Sequence, residues 1–476
     1  MEYEAVIGLE IHCELSTKAK NFCSCKNSFG MRPNSNVCPV CLGLPGALPT
    51  INKKALEYCV KTGLAFNSEI NDIAIFERKN YFYPDLPKSY QISQLEKPVC
   101  VGGYIDIETA DGEKKIRIDN IHLEEDAGKL THESMLNASL VDLNRASVPL
   151  IEIVTKPDIR SSSEAVKVLE TIKETLKYID VSECKMQEGG LRCDVNVSIR
   201  EKGSTTFGNR IEMKNLSSFK AVEKAINYEI QRQISLVNLG EKVIQQTLKW
   251  DDERNENFPL RSKENDNDYK YFPDPDLLPV EIEREYVENL RRNLPKLPKE
   301  RRKIYIEEYK LPEYDAKVLT NDKNISDFFE KTLEKYNNPK QISNFIMGDI
   351  LRLINQNELE IDSKMNISVD NFVKLLKMLD DKKITRTQAT TILENIFTSN
   401  EDAEDYAKRL NLLVNDDENE ILNIVLDVIK NNPNAVLDYK KGNERTLTFF
   451  MGQVMKASKG RAKPDVVMKI LKENLK

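Results

Sequence analysis

Three stretches of this chain alternate apolar and polar residues strictly enough to dictate β-strands and to assign each side chain a face. In Ile7-Gly8-Leu9-Glu10-Ile11-His12-Cys13-Glu14-Leu15 every odd position is apolar, so Glu10, His12 and Glu14 share the opposite face. The run Arg192-Cys193-Asp194-Val195-Asn196-Val197-Ser198-Ile199-Arg200 does the same for Arg192, Asp194 and Asn196, and Arg210-Ile211-Glu212-Met213-Lys214 is a third copy. A fourth acidic element, His122-Leu123-Glu124-Glu125-Asp126, follows a hairpin expected at Asp111-Gly112, between Tyr104-Ile105-Asp106-Ile107 and Ile116-Arg117-Ile118.

Any one of these strands alone reads as half-solvated, with an ordinary polar outer face. Together they imply more if they converge. Same-face carboxylates two residues apart lie roughly 7 Å from each other, and each like pair costs about 2 kcal/mol at an effective dielectric near 20. Several such groups on one sheet need cations. Carboxylate oxygens with one imidazole suit Mg²⁺ or Mn²⁺ bridging nucleotide phosphates, and Arg78, Lys79, Arg192 and Lys214 suit the phosphates. Spacing alone leaves convergence open.

Cys23-Ser24-Cys25 and Cys38-Pro39-Val40-Cys41 form a C-x-C and a C-x-x-C pair across a loop rich in Gly, Pro and Asn, the donor set of a closed tetrahedral zinc site. Four thiolates leave no open coordination position, so the expected role is structural. All nine cysteines precede residue 194, which argues against an evenly distributed disulfide framework. Cys13, Cys59, Cys100, Cys184 and Cys193 read as small buried hydrophobes.

At 476 residues the chain is too long for one core. Up to about residue 290 it mixes strands, turns and a few helices, among them one capped at Ser161 and continuing through Leu169, Ile172 and Leu176. Beyond Leu294-Pro295-Lys296-Leu297-Pro298 glycines nearly vanish and helical periodicity dominates. The expected organisation is α+β: residues 1–293, then a helical domain over 294–400, then a helical tail over 401–476. Net charge is −7, but residues 440–476 hold ten Lys or Arg against three acids, a local basic surface. The acidic N-terminal residues and the lack of an apolar run near 20 residues predict a cytoplasmic protein with no membrane contact.

These residues fall in blocks: GLEIH at 8–12, CPVCLGLPGALP at 38–49, RKNYFYPDLPKSYQISQ at 78–94, HLEEDAGK at 122–129 and VDLNRASVPLIEIVTKPD at 141–158. Further blocks are QEGGLRCDVNVSIR at 187–200, EMKNLSSF at 212–219, DYKYFPDPDLLP at 268–279 and GQVMKASKGRAKPDVV at 452–467. With these blocks the chain resembles, over essentially its whole length, the B-subunit family of tRNA-dependent amidotransferases. The resemblance implies an antiparallel-sheet cradle distantly like glutamine synthetase, a helical domain and a small helical tail that grips tRNA. It implies a ligase of translation that uses ATP and Mg²⁺ to phosphorylate the side-chain carboxylate of Glu-tRNA(Gln) or Asp-tRNA(Asn). Ammonia from an amidase-fold A subunit then displaces phosphate, and a small C subunit completes a heterotrimer.

Carried onto this sequence, the resemblance gives Glu10, His12, Glu124, Glu125, Asp194 and Glu212 as ligands of divalent ions. It makes Glu125 a gate at the end of the ammonia path, with Lys79 and Lys88 lining that path or holding phosphate. Departures from the family pattern are Ser147 where Gly is usual, Gly190 where Ser is common, Ser217 for Asn and Lys270 for Arg. Two other readings stand beside this one: a tRNA-binding scaffold whose chemistry lies in a partner, and a stand-alone ATP-dependent carboxylate-amine ligase, against which the basic tail counts.

Overall fold

The computed structural model describes residues 2–110, 112–133, 138–261, 269–356, 367–399, 401–414, 417–440, 443, 445–458 and 460–475. Asp111, Asp268, Asn400 and Lys459, which figure in motifs or boundaries read from the sequence, lie outside these residues. The chain divides into two compact units, Met1–Pro298 and Lys299–Lys476. The Pro-rich stretch at 294–298 thus ends the first unit.

A ten-stranded sheet organises the first unit. Its centre runs, in space, Ile211–Lys214, Leu191–Glu201, Tyr3–Glu14, Pro149–Thr155, Gly112–Glu125. These neighbours are antiparallel. The sheet is not antiparallel throughout, because Ile211–Lys214 runs parallel to Gln246–Asp251. The helix Phe219–Asn238 lies between them in sequence and supplies the crossover that a parallel pair requires. The hairpin expected at Asp111-Gly112 pairs Tyr104–Thr109 with Gly112–Glu125.

Alternation decides what the sheet buries. Ile7, Leu9, Ile11, Cys13 and Leu15 are all at most 1% exposed and join one core with the helices Ser162–Tyr178 and Phe219–Asn238. The first of these helices begins where the Ser161 side chain accepts from Glu164 N (3.2 Å), satisfying a free amide of the first turn. Leu169, Ile172 and Leu176 are fully buried on its inner face. With one face of the sheet sealed under these helices, Glu10, His12, Glu152, Arg192 and Asp194 share the other.

Among its described residues every helix or strand element of the second unit is a helix, with one π-helical turn at Ile346–Ile350. It contains two separate apolar cores, one from Tyr305 to Ala407 and one from Ile421 to Leu475. The helix Ala403–Arg409 goes with the earlier core through Ala403, Tyr406 and Ala407. No helix among the described residues is long and apolar enough to cross a membrane.

Candidate active site

Strand register builds the site. His122 pairs with Glu152, Glu152 with His12, and His12 with Arg192, a single row across four strands. One step along, Glu10 faces Asp194, while Glu212 lies opposite Asn196 on the next strand. Residues directly opposite in antiparallel pairs have Cβ atoms roughly 5 Å apart, so these side chains are forced together.

The polar groups gather into two clusters. In the first, His12 Nε2 lies 3.6 Å from Glu124 Oε1 and 3.5 Å from Glu152 Oε2. In the second, Glu10, Asp194 and Glu212 bring carboxylate oxygens within 4.8 Å of one another. Donors about 2.1 Å from one Mg²⁺ sit roughly 3–4 Å apart in octahedral geometry, so both clusters fit a divalent ion. Five of the six residues expected as divalent-ion ligands are therefore brought together.

The electrostatics show a region short of positive charge. Burial alone would depress His12, but the hydrogen bond and charge of Glu152, with Glu124, push its imidazole up to about 9. His122, whose Nε2 lies 3.1 Å from Glu152, is raised against the same opposing burial. Burial raises Glu124 and Glu10, and the charge of Glu152 raises both further. Lys214 Nζ lies 2.7 Å from Asp194 and 3.0 Å from Glu212, so an ammonium is the cation of the second cluster. Lys79 is raised by Glu124 despite burial and faces the first.

Glu125, the sixth expected ligand, belongs to neither cluster. Its Oε1 accepts from Lys88 Nζ and from Ile92 N, while its buried Oε2 has no hydrogen-bond partner. Asp126 takes a third direction, pairing with Arg145 and, at 2.9 Å, with Arg192. Arg192 is thereby held at the edge of the acidic face. Arg78 is held by Asp274 and Asp276, each at 2.8 Å, and stacks 4.1 Å from the Tyr90 ring.

Sequence reasoning missed Glu152 and Arg145 and gave His122 no role of its own. A signal for Glu152 is present in Leu150-Ile151-Glu152-Ile153, one charged residue in an apolar strand. Arg145 gave none, since its role comes from meeting Asp126 and Glu14 (3.0 Å) across the fold.

The four cysteines of the loop form a third cluster. Cys41 Sγ lies 3.4 Å from Cys23, 3.6 Å from Cys38 and 3.8 Å from Cys25, and all nine cysteines are free thiols. Four sulfurs about 2.3 Å from one zinc would be roughly 3.8 Å apart, so the donor set could hold a structural metal. The hydrogen bond from Cys23 and the charge of buried Lys20, 3.5 Å away, hold the Cys41 thiol down at about 4. Burial and the charge of Cys41 push Cys25 up to about 11.

Residues 5–288 match the family model of the GatB/GatE catalytic domain, and residues 327–475 match that of the GatB domain. The chain is 50% identical over 475 residues to the B subunit of the aspartyl/glutamyl-tRNA(Asn/Gln) amidotransferase of Caldanaerobacter subterraneus subsp. tengcongensis, covering all of both chains. The same name is carried by a Thermoanaerobacter pseudethanolicus protein, 50% identical over 475 residues, and a Clostridium novyi protein, 48% identical over 476 residues, again with full coverage of both chains.

Proposed function

The chain belongs to the family of aspartyl/glutamyl-tRNA(Asn/Gln) amidotransferase B subunits, and from that premise we propose that its first unit performs the ATP-dependent step. A side-chain carboxylate oxygen of Glu-tRNA(Gln) or Asp-tRNA(Asn) attacks the γ-phosphorus, and the bond to ADP breaks. Ammonia then attacks the activated acyl carbon, the bond from that carbon to the phosphate oxygen breaks, and the one proton lost by the nitrogen passes to the departing inorganic phosphate. A carboxylate is a poor acyl electrophile, and this exchange gives it a leaving group.

The residues of the site divide the work of that scheme. His12, Glu124 and Glu152 would hold one divalent ion, and Glu10, Asp194 and Glu212 a second. Bound Mg²⁺ would supply charge neutralisation between the phosphates and the attacking oxygen. Lys79, Lys214 and Arg192 border the same face and orient phosphate oxygens, so positioning and electrostatics carry the rate. Lys88 and Glu125 stand together where ammonia arrives, with the free Oε2 of Glu125 as its acceptor. Arg78, engaged by Asp274 and Asp276, takes no direct part.

The proposal extends to the assembly: an amidase-fold A subunit makes the ammonia, a small C subunit joins the two, and zinc fills the four-cysteine site in the cytoplasmic enzyme. Of the expected bounds 1–293, 294–400 and 401–476, the first is moved to Pro298 and the second past the helix Ala403–Arg409, which packs into the middle core; the cradle is assigned to the first unit and tRNA binding to the tail built on the core from Ile421 to Leu475. The observation that carries the reading is the convergence of Glu10, His12, Glu124, Asp194 and Glu212 into two cation-sized clusters on adjacent strands.

The test is transamidation of misacylated tRNA by the chain reconstituted with its partner subunits, with ATP, Mg²⁺ and ammonium chloride in place of glutamine. Wild type should form amidated tRNA and Asp194→Ala should not. Equal product from both would move the chemistry out of this unit and favour the scaffold reading.

A further inference from the structure

The loop that carries the four cysteines also closes around Lys88. Gly43, two residues after Cys41, sits at φ +63°, and a Cβ there would come within 2.7 Å of Lys88 Cγ and 3.0 Å of its Cα. Its place is set by the second cysteine pair: Leu42 N donates to Cys38 O (3.0 Å), Gly43 N to Val40 O (3.1 Å) and Leu44 N to Pro39 O (2.9 Å). On the other side, Phe22 immediately precedes Cys23, and its ring centroid lies 5.9 Å from Lys88 Nζ. One residue earlier, Asn21 Nδ2 donates to Glu124 O (2.8 Å), fixing the backbone that leads into Glu125. The Lys88 side chain, 9% exposed, is thus bracketed by two segments of the loop.

Each segment belongs to a different cysteine pair, Phe22 to Cys23 and Cys25, Gly43 to Cys38 and Cys41. A metal that joins the pairs therefore fixes the gap between Phe22 and Gly43. We propose that the four-cysteine site, through Phe22 and Gly43, positions Lys88 against Glu125, so that a metal with no open coordination position sets how the enzyme uses ammonia. Gly43 and Phe22 are positioning residues in this scheme. The inference rests on the role assigned above to the Lys88–Glu125 pair.

Only glycine tolerates both the left-handed backbone and the approach of Lys88 at position 43. The residue is exposed to solvent on its other side and makes no side-chain contribution to the core, which makes it a probe of position rather than of packing.

The experiment compares wild type, Gly43→Ala, Phe22→Leu and Lys88→Ala in the reconstituted complex, reading bound zinc by elemental analysis and the KM values for ammonium chloride and ATP. Gly43→Ala should keep its zinc and raise the KM for ammonium by about fivefold or more, with the KM for ATP changed by less than about twofold. Phe22→Leu should shift the ammonium KM in the same direction, and it decides the matter if Gly43→Ala fails to fold or loses zinc. Wild-type ammonium KM in both variants, with Lys88→Ala impaired, would overturn the inference and leave the metal a fold-stabilising element. An unchanged ammonium KM in Lys88→Ala would instead sink the assignment of the Lys88–Glu125 pair, and the inference with it.

Discussion

Glu124 and Glu125 are neighbours in sequence, each about 1% exposed, and their carboxylates face different partners: Glu124 the two histidines and Glu125 Lys88. Successive residues of a strand point to opposite sides, so one dipeptide supplies a carboxylate to the cation clusters and another to the lysine. In the proposed scheme the two positions divide the reaction. Glu124→Gln should lower ATP turnover and amidated product together. Glu125→Gln should lower amidated product more than ATP turnover, which is measured as ADP released per amidated tRNA. Equal ratios in the two variants would show that the pair acts as one unit.

Glu152 is the residue that the cation cluster adds to the set read from the sequence. It lies within 3.5 Å of both His12 and His122, and its carboxyl is held well below the usual range, against burial, by those imidazoles. Removing it leaves both imidazoles without the carboxylate they share and relieves Glu124 of a neighbouring like charge. Glu152→Ala should raise the Mg²⁺ concentration that gives half-maximal transamidation by about 10- to 100-fold. An unchanged Mg²⁺ requirement would remove Glu152 from the ligand set.

The strands, their faces and the cysteine loop were legible because period two and short cysteine spacings are local signals. Ile7 to Leu15 announces both a strand and its buried side, and the register then brings His12 to Glu152. What could not be read was which strands become neighbours. Tyr3–Glu14 lies between Pro149–Thr155 and Leu191–Glu201, partners well over a hundred residues away, and no local pattern encodes that order. The parallel pair of Ile211–Lys214 and Gln246–Asp251 was hidden for the same reason, since direction depends on the intervening helix. Glu125 entered the expected ligand set beside Glu124 through the family resemblance, although the pleat separates the two side chains.

Lys214 serves the second cluster as its cation. With Nζ 2.7 Å from Asp194 and 3.0 Å from Glu212, it occupies charge that a divalent ion would otherwise satisfy. Removing it leaves Glu10, Asp194 and Glu212 mutually repelling, with no ammonium to displace. Lys214→Met should therefore bind Mn²⁺ more tightly in the absence of nucleotide, by about tenfold or more, while the KM for ATP rises. Calorimetric titration checks the first and steady-state kinetics the second. Weaker Mn²⁺ binding in the variant would mean that Lys214 orients the carboxylates rather than competing for them.

Ser147, where the resemblance leads one to expect glycine, sits at φ +69°, in the left-handed region that favours glycine. Its hydroxyl is buried and has no hydrogen-bond partner. Its backbone contacts do not depend on the side chain: Ser147 N donates to Asp126 O (3.0 Å), and Asn21 N donates to Ser147 O (2.7 Å). Ser147→Gly would relieve roughly 1–2 kcal/mol of backbone strain, against about 0.5–1 kcal/mol for the greater freedom of glycine in the unfolded chain. Loss of an unsatisfied buried hydroxyl adds to the gain. The net expectation is a stabilisation of about 1 kcal/mol, seen as a higher denaturant midpoint with an unchanged slope. A lower midpoint would mean that the serine hydroxyl has a partner the strain argument omits, and that this departure from the family pattern is compensated locally.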